Sequence, residues 1–290
     1  MGILPTNPAA DQRRVLTGRL DRANERRIES VTVAGQCSPI DDTLARMNSA
    51  AENAHATAPA IETARVHPTH LLALVAHELR NPLGSIRNAA TILDLKRPDD
   101  VSRARLIIEQ QIYQMSRMID DLLDVSRASA GKLGLVLERV RLREVVERAI
   151  EAHAPALDRR SQRLLMSGSD TNCELNADPV RLQQVLCNLL GNASKYSFDG
   201  GCIRLEVNAL ECQVALSVSD DGIGISAEAI DHVFEPFMQE VRAASFNRAG
   251  LGLGLAVVRN LVEAHGGSVA ASSDGIGHGA RFVVTLPRIT

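Results

Sequence analysis

A histidine with a carboxylate beside it and an amide one helical turn away is the first feature of this chain that could do chemistry. Apolar residues recur every three or four positions around His77, which predicts an amphipathic helix. The residues expected on its buried face are Leu72, Val75, Leu79, Leu83, Ile86, Ala90 and Leu93. At about 100° per residue, His77 points away from that face, with Asn81 on the same exposed side. We expect His77 to be a nucleophile and Glu78 to orient the ring and act as general base, although this segment alone also fits a solvated surface histidine.

A glycine-rich segment in the C-terminal half has the pattern of a phosphate-binding turn. Gly250, Gly252 and Gly254 precede a helix predicted to begin at Leu255. Glycines before a helix N-terminus expose several N–H groups where the helix dipole favours anions. The segment is not a Walker loop, because no Gly-Lys-Ser/Thr follows, and its second gap is too short for a Rossmann turn.

A second glycine-rich segment, Asp220-x-Gly222-x-Gly224, follows a predicted strand. A carboxylate at a strand end can accept the amino hydrogen of adenine, and the glycines let the backbone approach the ring closely. Asp221 is the less suitable carboxylate, because the spacing to both glycines fits Asp220. This segment is too short to identify a nucleotide site without the others.

An asparagine-rich helix end supplies a third group of polar residues. Asp178 and the proline after it predict the start of this helix. Asn188 and Asn192 share one face of it, and Lys195 and Tyr196 extend the same end. Amide oxygens can ligate Mg²⁺, which needs only one or two protein ligands beside phosphates and water. Taken alone, the segment also fits a polar helix end without a ligand.

Six short segments, in this order and spacing, resemble the catalytic core of bacterial sensor histidine kinases over about residues 66–288. They are His-Glu-Leu-Arg-Asn-Pro at 77–82, the segments at 188–196 and 220–225, Phe-Glu-Pro-Phe at 234–237, the glycines at 250–254 and Gly-His-Gly at 277–279. The resemblance implies an α+β fold. An antiparallel helical hairpin would form a dimeric four-helix bundle, followed by an α/β sandwich ATP-binding domain of the histidine kinase/chaperone/gyrase type.

The resemblance also implies roles for single residues. Asn188 matches the family's Mg²⁺ ligand, and Asn81 matches a position whose amide or hydroxyl orients water. The implied ATP contacts are Asn192, Lys195, Tyr196, Asp220, Gly222, Gly224, Gly250, Gly252, Gly254 and Leu255. Residues 238–249 are expected to form a lid over ATP, from which Arg248, or Arg242, would offset charge on the γ-phosphate.

Three regions are expected along the chain: an N-terminal segment at 1–66, partly helical or linker and of unknown role, a dimerisation and phosphotransfer hairpin at 67–130, and an ATP-binding domain at 131–290. The second hairpin helix carries an apolar stripe at Ile108, Ile112, Met115, Ile119 and Leu122. A hairpin cannot bury two such stripes by itself, so we expect a homodimer. In the ATP-binding domain, strands are predicted at 133–137, 164–166, 173–175, 203–207, 214–218 and 279–286.

Composition excludes several other classes of protein. The chain has 290 residues, 45% hydrophobic and 23% charged, which predicts about two globular domains. A net charge of −3, no Trp and 2% aromatic residues argue against nucleic-acid binding. No apolar run approaches the ~20 residues of a membrane span. Five cysteines without a Cys-x-x-Cys pair indicate reduced thiols, so we expect a cytoplasmic protein.

The function implied is that of a two-component kinase. ATP would phosphorylate His77, and the phosphoryl group would pass to an aspartate of a separate response regulator receiver domain, with dephosphorylation of the regulator assisted by Asn81. A separate sensor or input protein is an expected further partner, because residues 1–66 are too short for a typical sensing domain. The alternatives are an ATPase-driven conformational protein of the same nucleotide-binding fold, and an adaptor whose bundle only docks partners.

Overall fold

The computed structural model describes residues 68–93, 98–168, 173–239 and 250–289, all within the unit Val66–Thr290. The expectations for residues 1–66 and for the arginines at 242 and 248 lie outside this part of the chain. Helix α1 (Pro68–Leu93) and helix α2 (Pro98–Ser129) pack against each other as the predicted hairpin. Among the described residues, no helix combines the length and apolar character needed to cross a membrane.

The hairpin of a single chain covers only one flank of the predicted apolar stripe on α1. From Val75 onward, its buried residues are Glu78, Pro82 and Ala89, which lie to one side of the stripe; the Leu72 side chain lies outside the described part. Leu83 is 52% exposed and Ala90 is also exposed, so the prediction that both are buried is wrong for a single chain. The physical reason is that α2 approaches α1 from the 78–82–89 side and leaves the other flank uncovered. On α2, Ile112 and Ile119 are exposed in the same way.

As far as it is described, the second part of the chain is a sheet with three α-helices whose apolar sides share one core. Its elements are β1 (Glu138–Arg141), α3 (Leu142–Arg159), β2 (Arg163–Gly168), β3 (Glu174–Ala177), α4 (Pro179–Tyr196), β4 (Cys202–Ala209), β5 (Gln213–Asp220), α5 (Gly254–Ala264), β6 (Ser268–Ser272) and β7 (Arg281–Pro287). The main sheet has the order β2-β4-β5-β7-β6, parallel between β2 and β4 and antiparallel elsewhere. Strands β1 and β3 form a separate antiparallel pair. This arrangement confirms the predicted α+β fold class.

Helix α4 lies at the centre of this core and begins where the sequence predicts. The Asp178 carboxylate caps it by accepting from the Val180 and Arg181 amides, and a proline occupies the first helical turn. The apolar side packs against the sheet, and its residues are at most 1% exposed: Leu182, Val185, Leu186, Leu189 and Leu190. The predicted inward face of α4 is therefore confirmed, and the polar residues between these positions are turned to the opposite side.

The strand predicted at Leu133–Leu137 is wrong. The chain there has no sheet partner, and the first strand is β1, which begins at Glu138. The Val136 amide donates to Asp178 Oδ2 at 3.0 Å instead of to a neighbouring strand, and the Val136 side chain is 77% exposed. Leu133 and Leu135 pack against the core, so the alternating pattern arises from a segment that lies across the domain surface.

Replacement of Asp178 tests how much its carboxylate stabilises the start of α4 and the segment at 133–137, which are both held by hydrogen bonds to it. Burial alone would raise the pKa of Asp178, but hydrogen bonds from the Val136, Arg181 and Val180 amides outweigh it and lower the pKa. We expect Asp178→Ala to reduce the free energy of unfolding by about 1–2 kcal/mol, as for other lost N-caps. Because the pKa is lowered in the folded state, this stabilisation is present at neutral pH and is lost as the pH falls through the folded-state pKa.

Denaturant titration at neutral pH measures the effect of Asp178→Ala. Asp178→Asn is the matched control, since it retains an oxygen acceptor at the cap and should lose less than half as much. Equal losses for the two variants would contradict a capping role.

Candidate functional site

A cavity opens between the C-terminal end of α4, the loop after β5 and the beginning of α5. Its walls are Asn192, Tyr196, Asp220, Ile223, Gly224, Ile225, Ala229, Val233, Met238, Gln239, Leu255, Ala280 and Phe282. Five of these residues were predicted to contact ATP, and the others are mainly apolar. A mostly apolar cavity with a few polar groups suits a flat aromatic ligand such as a nucleobase.

Asp220 is the buried carboxylate of this cavity. Burial raises its pKa to about 6, although hydrogen bonds from the backbone of Gly222 and Ala280 act in the opposite direction. The Gly222 amide donates to Asp220 Oδ1 at 2.9 Å, which fixes the orientation of the carboxylate in the cavity wall. Asp221 has a different task, because its Oδ2 accepts from the Cys202 amide at 2.9 Å. The geometry therefore favours Asp220 as the acceptor for a base.

The glycines around Asp220 are required by close backbone packing. A Cβ on Gly222 would collide with the Tyr196 carbonyl, and a Cβ on Gly279 would collide with the Asp220 carbonyl. Gly224 has a φ of +71°, and the Gly277 amide donates to the Ile223 carbonyl oxygen at 2.7 Å. The Gly-His-Gly segment at 277–279 thus supports the cavity loop from behind. Gly224 is the only one of these glycines on the cavity wall.

The other glycine segment meets α4 beside the cavity. Gly254 is the first residue of α5, and Asn188 Nδ2 donates to its carbonyl oxygen at 3.2 Å. Lys195 Nζ lies so close to Gly250 that a Cβ there would be 3.1 Å from it. The same ammonium group is 4.9 Å from the centre of the Tyr196 ring. The start of α5, with a cation beside it, is an arrangement that favours an anionic group.

Two aromatic residues that precede the predicted lid, Phe234 and Phe237, make packing and backbone contacts. Phe234 meets Phe282 edge to face, with 6.2 Å between ring centroids. Phe237 has a φ of +68°, and its amide donates to the Gly252 carbonyl oxygen at 3.0 Å. These contacts hold the segment before residue 240 against the glycine turn. Arg248 and most of the predicted lid lie outside the described residues.

Asn188 is only 8% exposed and makes a contact that the sequence did not predict. Its Oδ1 accepts from Arg117 Nη2 on α2 at 2.6 Å. A neutral amide oxygen suits Mg²⁺, which takes few protein ligands when phosphates are present, but in this structure the Asn188 oxygen faces Arg117 and the amide nitrogen faces Gly254. No group of three or more His, Cys, Asp or Glu in the described part of the chain offers a competing metal site. A sequence signal for Arg117 existed, because polar residues recur at 117, 121 and 124 on one side of α2.

His77 stands on the surface of α1, as predicted, with its side chain 66% exposed. Its Nδ1 lies 3.5 Å from Oε1 of Glu78, whose side chain is only 10% exposed. The second Glu78 oxygen is buried and accepts no hydrogen bond from the described residues. Asn81 is exposed one turn further along α1. A buried carboxylate facing Nδ1 leaves Nε2 as the ring nitrogen directed to solvent.

Two family models match the chain. Residues 69–131 match the His Kinase A (phospho-acceptor) domain, and residues 177–290 match the histidine kinase-, DNA gyrase B- and HSP90-like ATPase. The first match contains His77, Glu78 and Asn81, and the second contains the cavity and the glycine turn. Together they cover the hairpin and the larger part of the sheet domain.

Curated relatives are sensor kinases from bacteria. The chain is 34% identical to the sensor histidine kinase RcsC of Escherichia coli (strain K12) over 81% of its length, which is 25% of that protein. It is 33% identical to the sensor histidine kinase ZraS of the same strain, over 75% of this chain and 45% of ZraS. It is 32% identical to the uncharacterized sensor-like histidine kinase R01002 of Rhizobium meliloti (strain 1021), over 85% of this chain and 47% of the relative. The chain thus spans between a quarter and a half of the relatives it matches.

Solved structures share the fold. The Acinetobacter baumannii histidine kinase AdeS is 26% identical, with a TM-score of 0.56 over 74% of this chain and 98% of AdeS. ShkA in complex with AMPPNP is 29% identical, with a TM-score of 0.57 over 77% of this chain and 46% of ShkA. ThkA, solved in complex with the response regulator protein TrrA, is 22% identical and has a TM-score of 0.57 over 77% of this chain and 62% of ThkA.

Asp220→Asn tests the cavity in two ways. Because Gly222 occupies Oδ1, an amide nitrogen would replace Oδ2 and oppose the amino group of adenine, so we expect ADP to bind at least about tenfold more weakly. Folding raises the pKa of Asp220 from 3.8 to about 6, so the folded state binds the proton more tightly than the unfolded state. The free energy of unfolding of the unsubstituted protein therefore decreases as the pH is raised from about 4 to about 6.

At neutral pH we accordingly expect Asp220→Asn to be about 2 kcal/mol more stable to unfolding than the unsubstituted protein, with the advantage shrinking toward pH 4. ADP titration and denaturant melts over this pH range measure the two effects. Asp221→Asn is the control and should leave ADP affinity unchanged. Normal ADP binding by Asp220→Asn would exclude the assigned role.

Proposed function

The chain contains the catalytic core of a histidine kinase, a phospho-acceptor hairpin followed by an ATPase domain, and we propose that this core transfers the γ-phosphoryl group of ATP to His77. The observation that carries the proposal is the exposed His77 imidazole, whose Nδ1 faces the buried Glu78 carboxylate. A surface histidine of no function has no need of a carboxylate withdrawn from water beneath it. Burial of a carboxylate costs free energy unless the group is paired or hydrogen-bonded, and the His77 ring is the group that faces Oε1 of Glu78.

Nε2 of His77 would attack the γ-phosphorus in line with the bond to the departing oxygen of ADP. The attacking nitrogen supplies its lone pair, the bond between the γ-phosphorus and the bridging oxygen breaks, and ADP leaves with that electron pair. Glu78 would hold Nδ1 and stabilise the positive charge that develops on the ring. Because phosphoryl transfer depends mainly on positioning and charge neutralisation, the domain must bring ATP to His77 in this geometry.

The sheet domain would bind ATP with adenine in the cavity and the phosphates at the start of α5. Asp220 would accept from the adenine amino group, and Tyr196 would lie near the base or ribose. Lys195, Asn192 and the amides of the turn at 250–254 would meet the phosphates, and Asn188 would hold Mg²⁺. When bound, Mg²⁺ neutralises charge on the phosphate oxygens. Closure of a lid at 238–249, with Arg248 on the γ-phosphate, stays a prediction.

A homodimer would cover the apolar flank that the hairpin leaves open. Leu83 on α1 and Ile112 and Ile119 on α2 are about half exposed in one chain. Two hairpins packed as a four-helix bundle would bury these side chains while leaving His77 on the outside. Since ATP is the donor, we also propose that the catalytic core works in the cytoplasm.

The acceptor of the phosphoryl group would be an aspartate on a separate response regulator. His77 and Asn81 lie together on the exposed side of α1, where a receiver domain could dock. ThkA, a kinase of this fold, is known in complex with a response regulator protein. The exposed Asn81 amide could orient water for the reverse reaction, dephosphorylation of the regulator.

His77→Gln should abolish stable labelling of the protein by γ-labelled ATP, because glutamine has no ring nitrogen that could attack the γ-phosphorus. The label on the unsubstituted protein should be acid-labile and base-stable, as expected for a phosphoramidate. An equal label on His77→Gln would refute the assignment. ADP binding by His77→Gln is the control and should be unchanged, since His77 lies outside the cavity.

Asn81→Ala should leave the labelling of His77 largely intact and slow the dephosphorylation of a phosphorylated receiver domain by about tenfold or more, since one oriented hydrogen bond to water is lost. Release of phosphate from the receiver, with and without the kinase, measures the effect. Asn88→Ala, on an exposed position of the same helix, is the matched control. Unchanged dephosphorylation with Asn81→Ala would exclude this role.

A further inference from the structure

Helix α2 of the hairpin and helix α4 of the ATPase domain are joined by a row of polar contacts, named here the α2–α4 latch. Its three pairings are Arg117–Asn188, Asp121–Gln184 and Asp124–Arg181. Along α2 the residue numbers of the three pairs increase by four and then by three, whereas the numbers of their partners on α4 decrease by four and then by three. One face of each helix therefore meets the other in an antiparallel register.

The carboxylate end of the latch is buried and matched in charge. Arg181 Nη1 donates to Asp124 Oδ2 at 2.6 Å, and Gln184 Nε2 donates to the same oxygen at 3.0 Å. Asp124 is only 3% exposed. Burial also raises the pKa of Asp121, although Arg117 and Gln184 act in the opposite direction. Charged groups taken out of water in this way are tolerated only while their partners remain in place.

The other end of the latch is less well matched, because Arg117 donates to a neutral amide. The Asn188 amide is held from two sides: its oxygen faces Arg117 on α2, and its nitrogen donates to the carbonyl oxygen of Gly254 on α5. The proposed phosphate position lies at the start of α5. In this arrangement Asn188 therefore presents N–H groups to that position and turns its oxygen toward the hairpin.

Metal binding by Asn188 conflicts with this geometry. To ligate Mg²⁺ beside the phosphates, the amide oxygen must turn from Arg117 toward α5, which breaks both of its present hydrogen bonds. If the amide did not turn, its oxygen would have to ligate Mg²⁺ while it still accepts from Arg117. The positively charged guanidinium would then lie close to the dication and repel it. Each alternative costs free energy as long as Arg117 stays in contact.

We propose that Arg117 and Asn188 form a magnesium-sensitive contact through which the docked arrangement of α2 and α4 excludes Mg²⁺–nucleotide, and Mg²⁺–nucleotide releases α4 from α2. The proposal rests on the function proposed above, in that it takes Asn188 as the metal ligand. Coupling of this kind is reciprocal: the factor by which the docked arrangement weakens Mg²⁺–nucleotide binding is also the factor by which Mg²⁺–nucleotide weakens the docking. Arg117 is a regulatory residue here and needs no contact with the reacting atoms.

ADP binding to the chain of 290 residues tests the proposal without turnover. The dissociation constant of ADP is measured in EDTA and in saturating Mg²⁺. The constant in EDTA divided by the constant in Mg²⁺ is the factor by which the metal strengthens ADP binding. We expect Arg117→Met, which keeps the apolar stem, to raise this ratio by about tenfold, because a charge-assisted hydrogen bond no longer opposes the metal. Arg105→Met is the matched control, since Arg105 pairs with Glu109 on the exposed side of α2, and should leave the ratio unchanged.

Amide hydrogen exchange gives a second readout of the same coupling. In the unsubstituted protein, ADP with Mg²⁺ should speed exchange over residues 117–125, whereas ADP with EDTA should not. Asp124→Asn weakens the carboxylate end without touching Asn188, so it should also speed exchange and raise the Mg²⁺-dependent gain.

An unchanged ratio in Arg117→Met overturns the proposal. A lower ratio overturns it too and would indicate that Arg117 binds phosphate. If the unsubstituted protein and the control both fail to bind ADP, the proposed function fails and the latch proposal with it. If Arg117→Met binds ADP normally and Mg²⁺ strengthens that binding by the same factor as in the unsubstituted protein, the latch proposal fails and the proposed function stands.

Discussion

The burial of one side of α4 is the constraint on which the rest of the domain depends. Leu182, Leu186 and Leu189 are almost completely enclosed between the helices and the sheet, so α4 cannot rotate. A helix fixed on its apolar side must direct its remaining residues along defined lines. Asn188 is consequently held against the start of α5, and Asn192 reaches the cavity wall. The same helix also presents polar groups to the hairpin, so the nucleotide site and the interdomain contact share one rigid support.

Close backbone packing is the second determinant of the site. The loop after β5 is pressed between the end of α4 and the segment at 277–279, and side chains at Gly222 or Gly279 would collide with neighbouring carbonyl groups. This packing withdraws the Asp220 carboxylate from water and gives it a raised pKa. The glycines thus differ in a way that sequence spacing does not distinguish: Gly224 lines the cavity, whereas Gly222 and Gly279 allow one loop to lie against another.

Comparison of particular elements shows where sequence patterns suffice. The inward face of α4 and its Asp178 cap were predictable because periodicity and capping depend on residues a few positions apart. The strand predicted at 133–137 was wrong because a strand exists only if a partner lies beside it, and the Val136 amide finds a side chain instead. The stripe on α1 was predictable, but its exposure at Leu83 was not, since that depends on the side from which α2 approaches.

The sequence by itself determined the chemistry that is available: a histidine turned away from the apolar side of a helix, a carboxylate after a strand, and glycines before a helix. These features are local, because helix faces, caps and turns are set by neighbours along the chain. Only the tertiary structure decided which of these groups meet. The contact between Arg117 and Asn188 joins residues 71 positions apart on different helices. No local periodicity encodes such a pairing, because it depends on how two separately buried helices are positioned by the packing of everything around them.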